Sequence, residues 1–264
     1  MRKSRIKMKL SRGEPVLVTT LHLIDPSVYE LTSLMGFDGI WMDLEHHTYS
    51  VQTASELMRA ARVGSADIIA RPAKGEFMRM QRLLEAGAQG IMYPRCDDAR
   101  EAAEVVSWAK FAPIGRRGID AANPDAPYLS MPLADYIVEA NRQTFLIVQI
   151  ETPEALERVE EIAAVDGVDI LLFGPGDFSI LSGIPGQMDH ERIREAKQRI
   201  AEAARSAGKH WGYPVGSVQE AQELLEMGGR FICYQADIVM IKNGLEQVQR
   251  EMAPLGFTFD NRLA

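Results

Sequence analysis

Apolar strand-like runs alternate with helical periods from one end of this chain to the other, and that alternation limits the fold more than any single residue does. Eight runs read as strands: Pro15–Leu23, Gly39–Glu45, Asp67–Pro72, Gly90–Arg95, Thr144–Glu151, Asp169–Phe173, His210–Pro214 and Arg230–Ala236. Amphipathic helical periods lie between them, among them Phe77–Ala86, Pro153–Ala164, His190–Ala207 and Val218–Met227, and a last helix follows the eighth strand and runs through Gln247 to Met252. Gly36, Gly64, Gly87, Gly208 and Gly228 stand where helices need a left-handed closing residue. Thr152-Pro153 and Ser217 read as helix starts. Eight such repeats in 264 residues predict one α/β domain over 1–264, a (β/α)8 TIM barrel. An open doubly wound sheet would alternate in the same way, but no GxGxxG follows the first strand, which weakens a dinucleotide-binding reading.

Three segments fall outside the repeat. Residues 1–14 carry Arg2, Lys3, Arg5, Lys7, Lys9 and Arg12, and read as a solvated first helix or a basic arm. Ala112 to Met131 is rich in Pro, Gly, Asn and Asp, and a loop of this length is expected at the functional rim, beside the acids. The tail, residues 253–264, carries Leu255, Phe257 and Phe259, which suit docking on a partner subunit.

The net charge of −8 makes nucleic acid a poor partner. No stretch has the roughly 18 apolar residues needed to span a membrane, and the basic start lacks a signal peptide's apolar region. Cys96 and Cys233 have no metal spacing; they read as small apolar fillers in a reducing, cytoplasmic compartment.

The chemistry gathers where strands end. Ile40-Trp41-Met42-Asp43-Leu44-Glu45-His46-His47 starts as an apolar strand and closes on two acids and two imidazoles. Phe145 to Ile150 is closed by Glu151, and Asp169 to Phe173 by Gly174-Pro175-Gly176-Asp177. Glu151 and Asp177 would sit on adjacent strand ends of a barrel, where two carboxylates repel unless a cation joins them or one is protonated. Oxygen donors without Cys or His favour Mg²⁺ or Mn²⁺; the alternative is a pair of solvated loop acids. Gly174 to Ser179 is either a backbone nest for a substrate carboxylate or a plain tight turn. Arg71, at the end of strand three, either binds a carboxylate or enolate oxygen or pairs with Glu45 or Asp43. One neutral imidazole of His46 and His47 would serve as general base; both are unlikely to face the pocket together.

Six stretches in register resemble the signature segments of the HpcH/HpaI class II pyruvate aldolases: Asp43-Leu44-Glu45-His46, Ala70-Arg71-Pro72, Leu83 to Ala88, Pro113 to Gly118, Val148 to Thr152 and Gly174 to Ser179. The resemblance runs from about residue 15 to 250. It implies divalent-metal-dependent retro-aldol cleavage of a 4-hydroxy-2-oxo acid to pyruvate and an aldehyde, with Mg²⁺, Mn²⁺ or Co²⁺ as cofactor. It implies a modified barrel whose C-terminal helix is exchanged between subunits, in a homo-oligomer, commonly a hexamer built from dimers. By position it implies His46 as general base, Glu85 raising its basicity and Asp43 orienting it. Arg71 would steady the enolate, Gln149 and the backbone at Gly176 and Asp177 would hold pyruvate, and Glu151 and Asp177 would bind the metal. Glu85 is one methylene longer than the aspartate often found there, and Leu44 and His47, bulkier than many equivalents, are implied by the resemblance to border the aldehyde side.

Two other readings accompany that one. A CoA-thioester lyase on a related barrel would need a basic cluster at the rim, for which Arg95, Arg116 and Arg117 are the candidates. A non-catalytic 2-oxo-acid sensor would be expected to lack the base or a metal ligand. A Schiff-base route would need a lysine at a strand end, and Lys74 comes closest.

Overall fold

A computed structural model of the chain describes residues 1–263. Among them α1 (Arg5–Leu10) precedes eight strands: β1 (Val16–Leu21), β2 (Gly39–Asp43), β3 (Asp67–Arg71), β4 (Gly90–Tyr93), β5 (Phe145–Ile150), β6 (Ile170–Phe173), β7 (His210–Val215) and β8 (Phe231–Ala236). Each pairs in parallel with its sequence neighbours, and β8 closes onto β1. The sheet is therefore a closed barrel, and the open-sheet alternative is excluded.

The helices between the strands are α2 (Pro26–Leu34), α3 (Val51–Ala60), α4 (Phe77–Ala86), α5 (Ala99–Ala109), α6 (Leu133–Gln143), α7 (Pro153–Glu157), α8 (Val159–Ala163), α9 (Pro175–Leu181), α10 (Glu191–Ser206) and α11 (Val218–Glu226), with α12 (Asp237–Met252) after β8. Thr152 and Ser217 cap α7 and α11 as expected, accepting the Ala155 and Glu220 N–H groups at 3.0 and 3.1 Å. The expected helix Pro153–Ala164 is broken at Arg158, which leaves helical geometry at φ −113° and ψ 15°. Gly64 is not a left-handed cap. Its φ is −111°, and it is glycine because a Cβ there would come within 2.3 Å of the Ser33 carbonyl oxygen.

Strand side chains alternate between faces with a period of two. The inward set includes Val16, Val18, Trp41, Ile69, Met92, Phe145, Ile147, Ile170, Leu172, Phe231 and Cys233, a buried cluster inside the barrel. Two residues further along four of these strands stand Thr20, Asp43, Arg71 and Gln149, and two beyond Gln149 stands Glu151. The face that is apolar at mid-barrel therefore turns polar at the C-terminal rim. The outward faces pack under the helices in a larger core with Met42, Ile68, Leu83, Val148, Ile162 and Ile200 among its members.

Two segments depart from expectation, and a third, at the C-terminus, stands exposed as the sequence suggests. The basic N-terminus is neither a free arm nor merely a solvated helix. α1 plugs the lower end of the barrel with Ile6 and Leu10, buried against the interior cluster, each contributing about 1.5–3 kcal/mol. The long connection from residue 110 to 144 is not at the rim of the acids. It follows a helix and leads into a strand, which places it at the opposite, N-terminal end of the barrel. There Phe111, Ala126, Tyr136 and Ala140 form a small core of their own. α12 buries only Asp237; Ile238, Ile241, Leu245 and Val248 are exposed, as are Leu255, Phe257 and Phe259 beyond it. No helix among the described residues is long and apolar enough to cross a membrane.

Candidate active site

Asp43 and Arg71 are partners in the β2–β3 ladder, each at its strand's last position. That register makes the ion pair possible. Arg71 Nη2 donates to Asp43 Oδ2 at 2.7 Å, and Arg71 Nε to Asp43 Oδ1 at 2.9 Å, a two-point contact between planar groups. Burial alone would raise the Asp43 pKa, but the guanidinium's hydrogen bonds and charge outweigh it and hold the carboxyl below its ordinary range. Arg71 Nε also lies 3.3 Å from Glu45 Oε2, and Nη1 donates to Gln149 Oε1 at 3.2 Å. The pairing expected as the alternative role of Arg71 is thus present, and the guanidinium also reaches across to β5.

Glu151 follows β5 directly, because Thr152 and Pro153 end the strand and open α7. Only 2% of it is exposed. Its Oε1 accepts the Arg95 N–H at 2.7 Å, and Oε2 accepts from Gln149 Nε2 at 3.2 Å. Arg95 presents that N–H from a left-handed backbone, φ 46°, a conformation that non-glycine residues hold at a cost. Burial pushes the Glu151 pKa up; the Arg95 N–H opposes the rise and the Asp177 charge adds to it, leaving the carboxyl at about 7. A Cβ on Gly174 would stand 2.3 Å from Glu151 Oε2. The glycine before the Asp177 turn therefore makes room for the glutamate of the adjacent strand.

Asp177 is half-buried in the first turn of α9, with the open face of Gly176 beside it: a Cβ there would meet nothing within 4 Å. The segment Gly174 to Ser179 is neither a separate nest nor a plain tight turn; it opens a short helix, and Ser179 Oγ donates to the Gly176 carbonyl at 2.7 Å. Among the described residues no three His, Cys, Asp or Glu side chains converge to form a ready-made metal cage. Two carboxylate donors, the charge of Asp177 raising the proton affinity of Glu151, with open space in front, fit a hard divalent ion that keeps several positions for water and substrate.

The two histidines separate. His46 is 53% exposed at its side chain, with Nε2 3.6 Å from Glu45 Oε2; Glu45 thereby links it to Arg71. Asp43 touches the His46 segment through the backbone, accepting the Glu45 N–H at 3.0 Å and the His46 N–H at 3.5 Å. His47 turns the other way. Its Nε2 lies 3.9 Å from Asp43 Oδ2 and its ring packs against His22, 4.5 Å between centroids, and Tyr49. Burial and the neighbouring His22 lower its pKa.

Glu85 is not brought to His46 within the chain. It sits in the last turn of α4, which runs from the catalytic rim towards the opposite end, and it accepts from Gln81 Nε2 at 3.3 Å. Among the described residues it makes no hydrogen bond or ion pair with either histidine.

Sequence reasoning missed four contributors: the Arg95 backbone, Glu45 as the link between His46 and Arg71, His22, and Asp237. His22 is the penultimate residue of the expected first strand, Pro15–Leu23, and its Nδ1 lies 3.2 Å from Asp237 Oδ1. The signal for it was available, a histidine at a strand end as in Glu45-His46.

A family profile described as HpcH/HpaI aldolase/citrate lyase matches residues 20–242. A 4-hydroxy-2-oxo-heptane-1,7-dioate aldolase of Salmonella arizonae is 31% identical over 92% of each chain. A hydroxypyruvate/pyruvate aldolase of Pseudomonas aeruginosa is 30% identical over 93% of this chain and 91% of its own length. The crystal structure of an HpcH/HpaI aldolase from Desulfitobacterium hafniense superposes with a TM-score of 0.89 at 28% identity, covering 94% of this chain and 96% of the other. With the strand-end acids, the Asp43–Arg71 pair and the closed barrel already in place, these matches establish that the chain belongs to the HpcH/HpaI aldolase/citrate lyase family.

Proposed function

We propose that this protein is a class II pyruvate aldolase: it cleaves a 4-hydroxy-2-oxo acid to pyruvate and an aldehyde, and runs the addition in reverse. The observation that carries this reading is Glu151. It is a buried carboxylate whose oxygens are aimed by one backbone N–H and one amide, beside Asp177 and within reach of Arg71.

Glu151 and Asp177 are the residues to hold a divalent ion, Mg²⁺, Mn²⁺ or Co²⁺. Bound there, it supplies Lewis-acid stabilisation to the enolate of pyruvate. Arg71 and Gln149, joined by a hydrogen bond, face the same space and are placed to orient the substrate's 2-oxo-acid end, with the N–H groups of Gly176 and Asp177 nearby. His46 removes the proton of the 4-hydroxyl. The O–H electrons become the aldehyde carbonyl, the C3–C4 bond breaks, and its electrons form the C2–C3 double bond, moving the carbonyl pair onto the enolate oxygen, where Arg71 places positive charge; a proton delivered to C3 from solvent then gives pyruvate, and His46 returns its proton to solvent. Asp43 keeps that guanidinium in place and fixes the backbone turn that carries His46.

Features of the structure weaken the rival routes. Lys74, the nearest candidate for a Schiff base, is tied to Asp97 at 2.6 Å, Glu101 at 3.1 Å and the Arg95 carbonyl at 2.6 Å. Burial would lower its pKa, but these partners outweigh burial and raise it, which keeps it protonated. Of the three arginines a CoA-thioester lyase would use, Arg117 is buried, paired with Asp125 at 3.5 Å and packed on Phe111. The exposed apolar side of α12 supports exchange of that helix between copies of the chain, in a dimer-built homo-oligomer such as a hexamer.

Chelation tests the reading. EDTA-treated protein should release no pyruvate from 4-hydroxy-2-oxo acids, and added Mg²⁺, Mn²⁺ or Co²⁺ should restore release. Full turnover in metal-free protein would refute the metal role. Calorimetric binding of pyruvate and metal without turnover over a broad aldehyde panel would favour the sensor.

A further inference from the structure

We infer that Gln235 reads a hydroxyl group on the aldehyde half of the substrate, so that short hydroxylated aldehydes are preferred to their deoxy analogues and to aldehydes ending in a carboxylate. This rests on the aldolase reading above and extends it to the choice of aldehyde.

The β1–β8 ladder pairs Val18 with Cys233 but Thr20 with Ala236. Two steps on β1 therefore oppose three on β8, so β8 carries a bulge at its catalytic end. Gln235 lies in that bulge with φ 62°, the left-handed region, and Thr19 Oγ1 fastens its carbonyl at 3.3 Å. Bulges at barrel rims re-aim side chains. A glycine would take this conformation without strain, yet a long amide occupies it, which is the pattern expected where a side chain is needed.

Gln235 borders a cavity of about 340 Å³ at the mouth of β7, β8 and β1, with Thr20, Pro214, Cys233 and Ala236 among its walls. Cys233 belongs to the same interior cluster as Trp41, and the Arg71 guanidinium lies 4.7 Å over the Trp41 ring, so the cavity adjoins the enolate end of the site. It opens on the β7–β8–β1 side, away from Glu151 and Asp177 on the β5–β6 side, which is where the half of the substrate remote from the metal ligands has room. No lysine, arginine or histidine is among its described walls, so a second carboxylate would find no cation there. Gln235 Oε1 is buried without a hydrogen-bond partner among the described residues. An amide oxygen only accepts. A half-turn about the Cγ–Cδ bond presents that oxygen to the cavity, where a substrate hydroxyl can donate to it, whereas a deoxy analogue leaves it unpaired.

The test uses the Mn²⁺-loaded enzyme and kcat/KM for addition of pyruvate to matched aldehydes: glycolaldehyde against acetaldehyde, 2-hydroxypropanal against propanal, with succinic semialdehyde as the carboxylate-ended member. Each hydroxy-to-deoxy ratio is compared between wild type, Gln235→Leu and Gln235→Gly. The comparison cancels both the aldehydes' own reactivity and any loss of folded variant. Leu keeps the bulk and the strained backbone; Gly relieves the strain; both remove the amide. The ratio should fall about tenfold in both variants, the worth of one neutral hydrogen bond. Ratios unchanged within twofold in both, or a wild type that favours succinic semialdehyde, would overturn the inference. Deuterium exchange into the pyruvate methyl by wild type, with no aldehyde present, separates the two levels. Exchange with unchanged ratios removes the Gln235 assignment alone, while absence of exchange removes the aldolase reading and this inference with it.

Discussion

At the N-terminal end of the barrel, Asp38 receives Arg5 at 2.6 Å, Lys9 at 2.7 Å and the Leu17 N–H at 2.9 Å, and Asp169 receives Lys7 at 3.0 Å. Asp67 takes the Ser4 hydroxyl and the Ile6 N–H. At the C-terminal end, Asp43 and Glu45 both pair with Arg71, whose charge also reaches Glu151. The consequence is visible in proton affinity. Burial would raise Asp38, but its partners outweigh burial and hold it low, whereas Glu151 is pushed up to about 7. Asp67, fully buried and served by neutral donors, sits between them at about 6. One end spends its acids on closing the barrel. The other leaves them short of positive charge, which is the condition for taking up a cation and a charged substrate.

The contrast breaks most severely at the proposed metal ligands. Glu151→Gln or Asp177→Asn should cut pyruvate release by about three decades or more, the scale of several kcal/mol of lost Lewis-acid stabilisation, without lowering the melting temperature of metal-free protein. A variant that keeps a tenth of wild-type turnover would show that this end is not a cation site. Next is the base: His46→Ala should lose about two to four decades of kcat, and His47→Ala clearly less, because His47 is packed against His22 and Tyr49. Equal losses, or a larger one at His47, would move the base to the imidazole beside Asp43.

Mutations at the opposite end should behave in reverse. Asp38→Ala removes the acceptor of the part-buried Leu17 N–H and the partner of two cations. It should cost about 1–3 kcal/mol, a melting shift of about 2–4 °C per kcal/mol in a chain of this size, with turnover per folded molecule unchanged. A comparable loss of turnover would show that the two ends are coupled. The smallest effect sharpens the contrast through pH. Glu151 has a folded pKa of about 7 against an ordinary 4.5. The folded state therefore holds this proton more tightly, and metal-free protein should lose stability as pH rises from 4.5 to 7, the cost being fully present above 7. The Asp38 contribution has the opposite sign: it is present above 3.8 and lost as pH falls through the lowered folded value. Melting curves of EDTA-treated wild type minus those of Glu151→Gln should show the gap opening with pH and closing when Mn²⁺ is added. A gap independent of pH would place the Glu151 proton affinity in its ordinary range.

Much of the site was legible because its residues close their own strands. Asp43, Arg71, Gln149 and Glu151 continue the inward period of β2, β3 and β5, and an acid after an apolar run marks a rim. The 112–131 loop was misplaced because a connection between a helix and the next strand belongs to the opposite end of the barrel. Glu85, late on α4, does not reach His46 within one copy of the chain.

Local periodicity, caps and turn residues were enough to determine eight strands, their helices and the strand ends that bear chemistry, because these depend on neighbours along the chain. Closure of the barrel decided the rest. Arg71 faces Asp43 because β2 and β3 are in register, Gly174 is bare because Glu151 leans over from the next strand, α1 pairs with acids at the starts of three different strands, and the β8 bulge exists only against β1. Each of these needs two segments distant in sequence to meet at a fixed register, and that register is set by packing the whole interior at once.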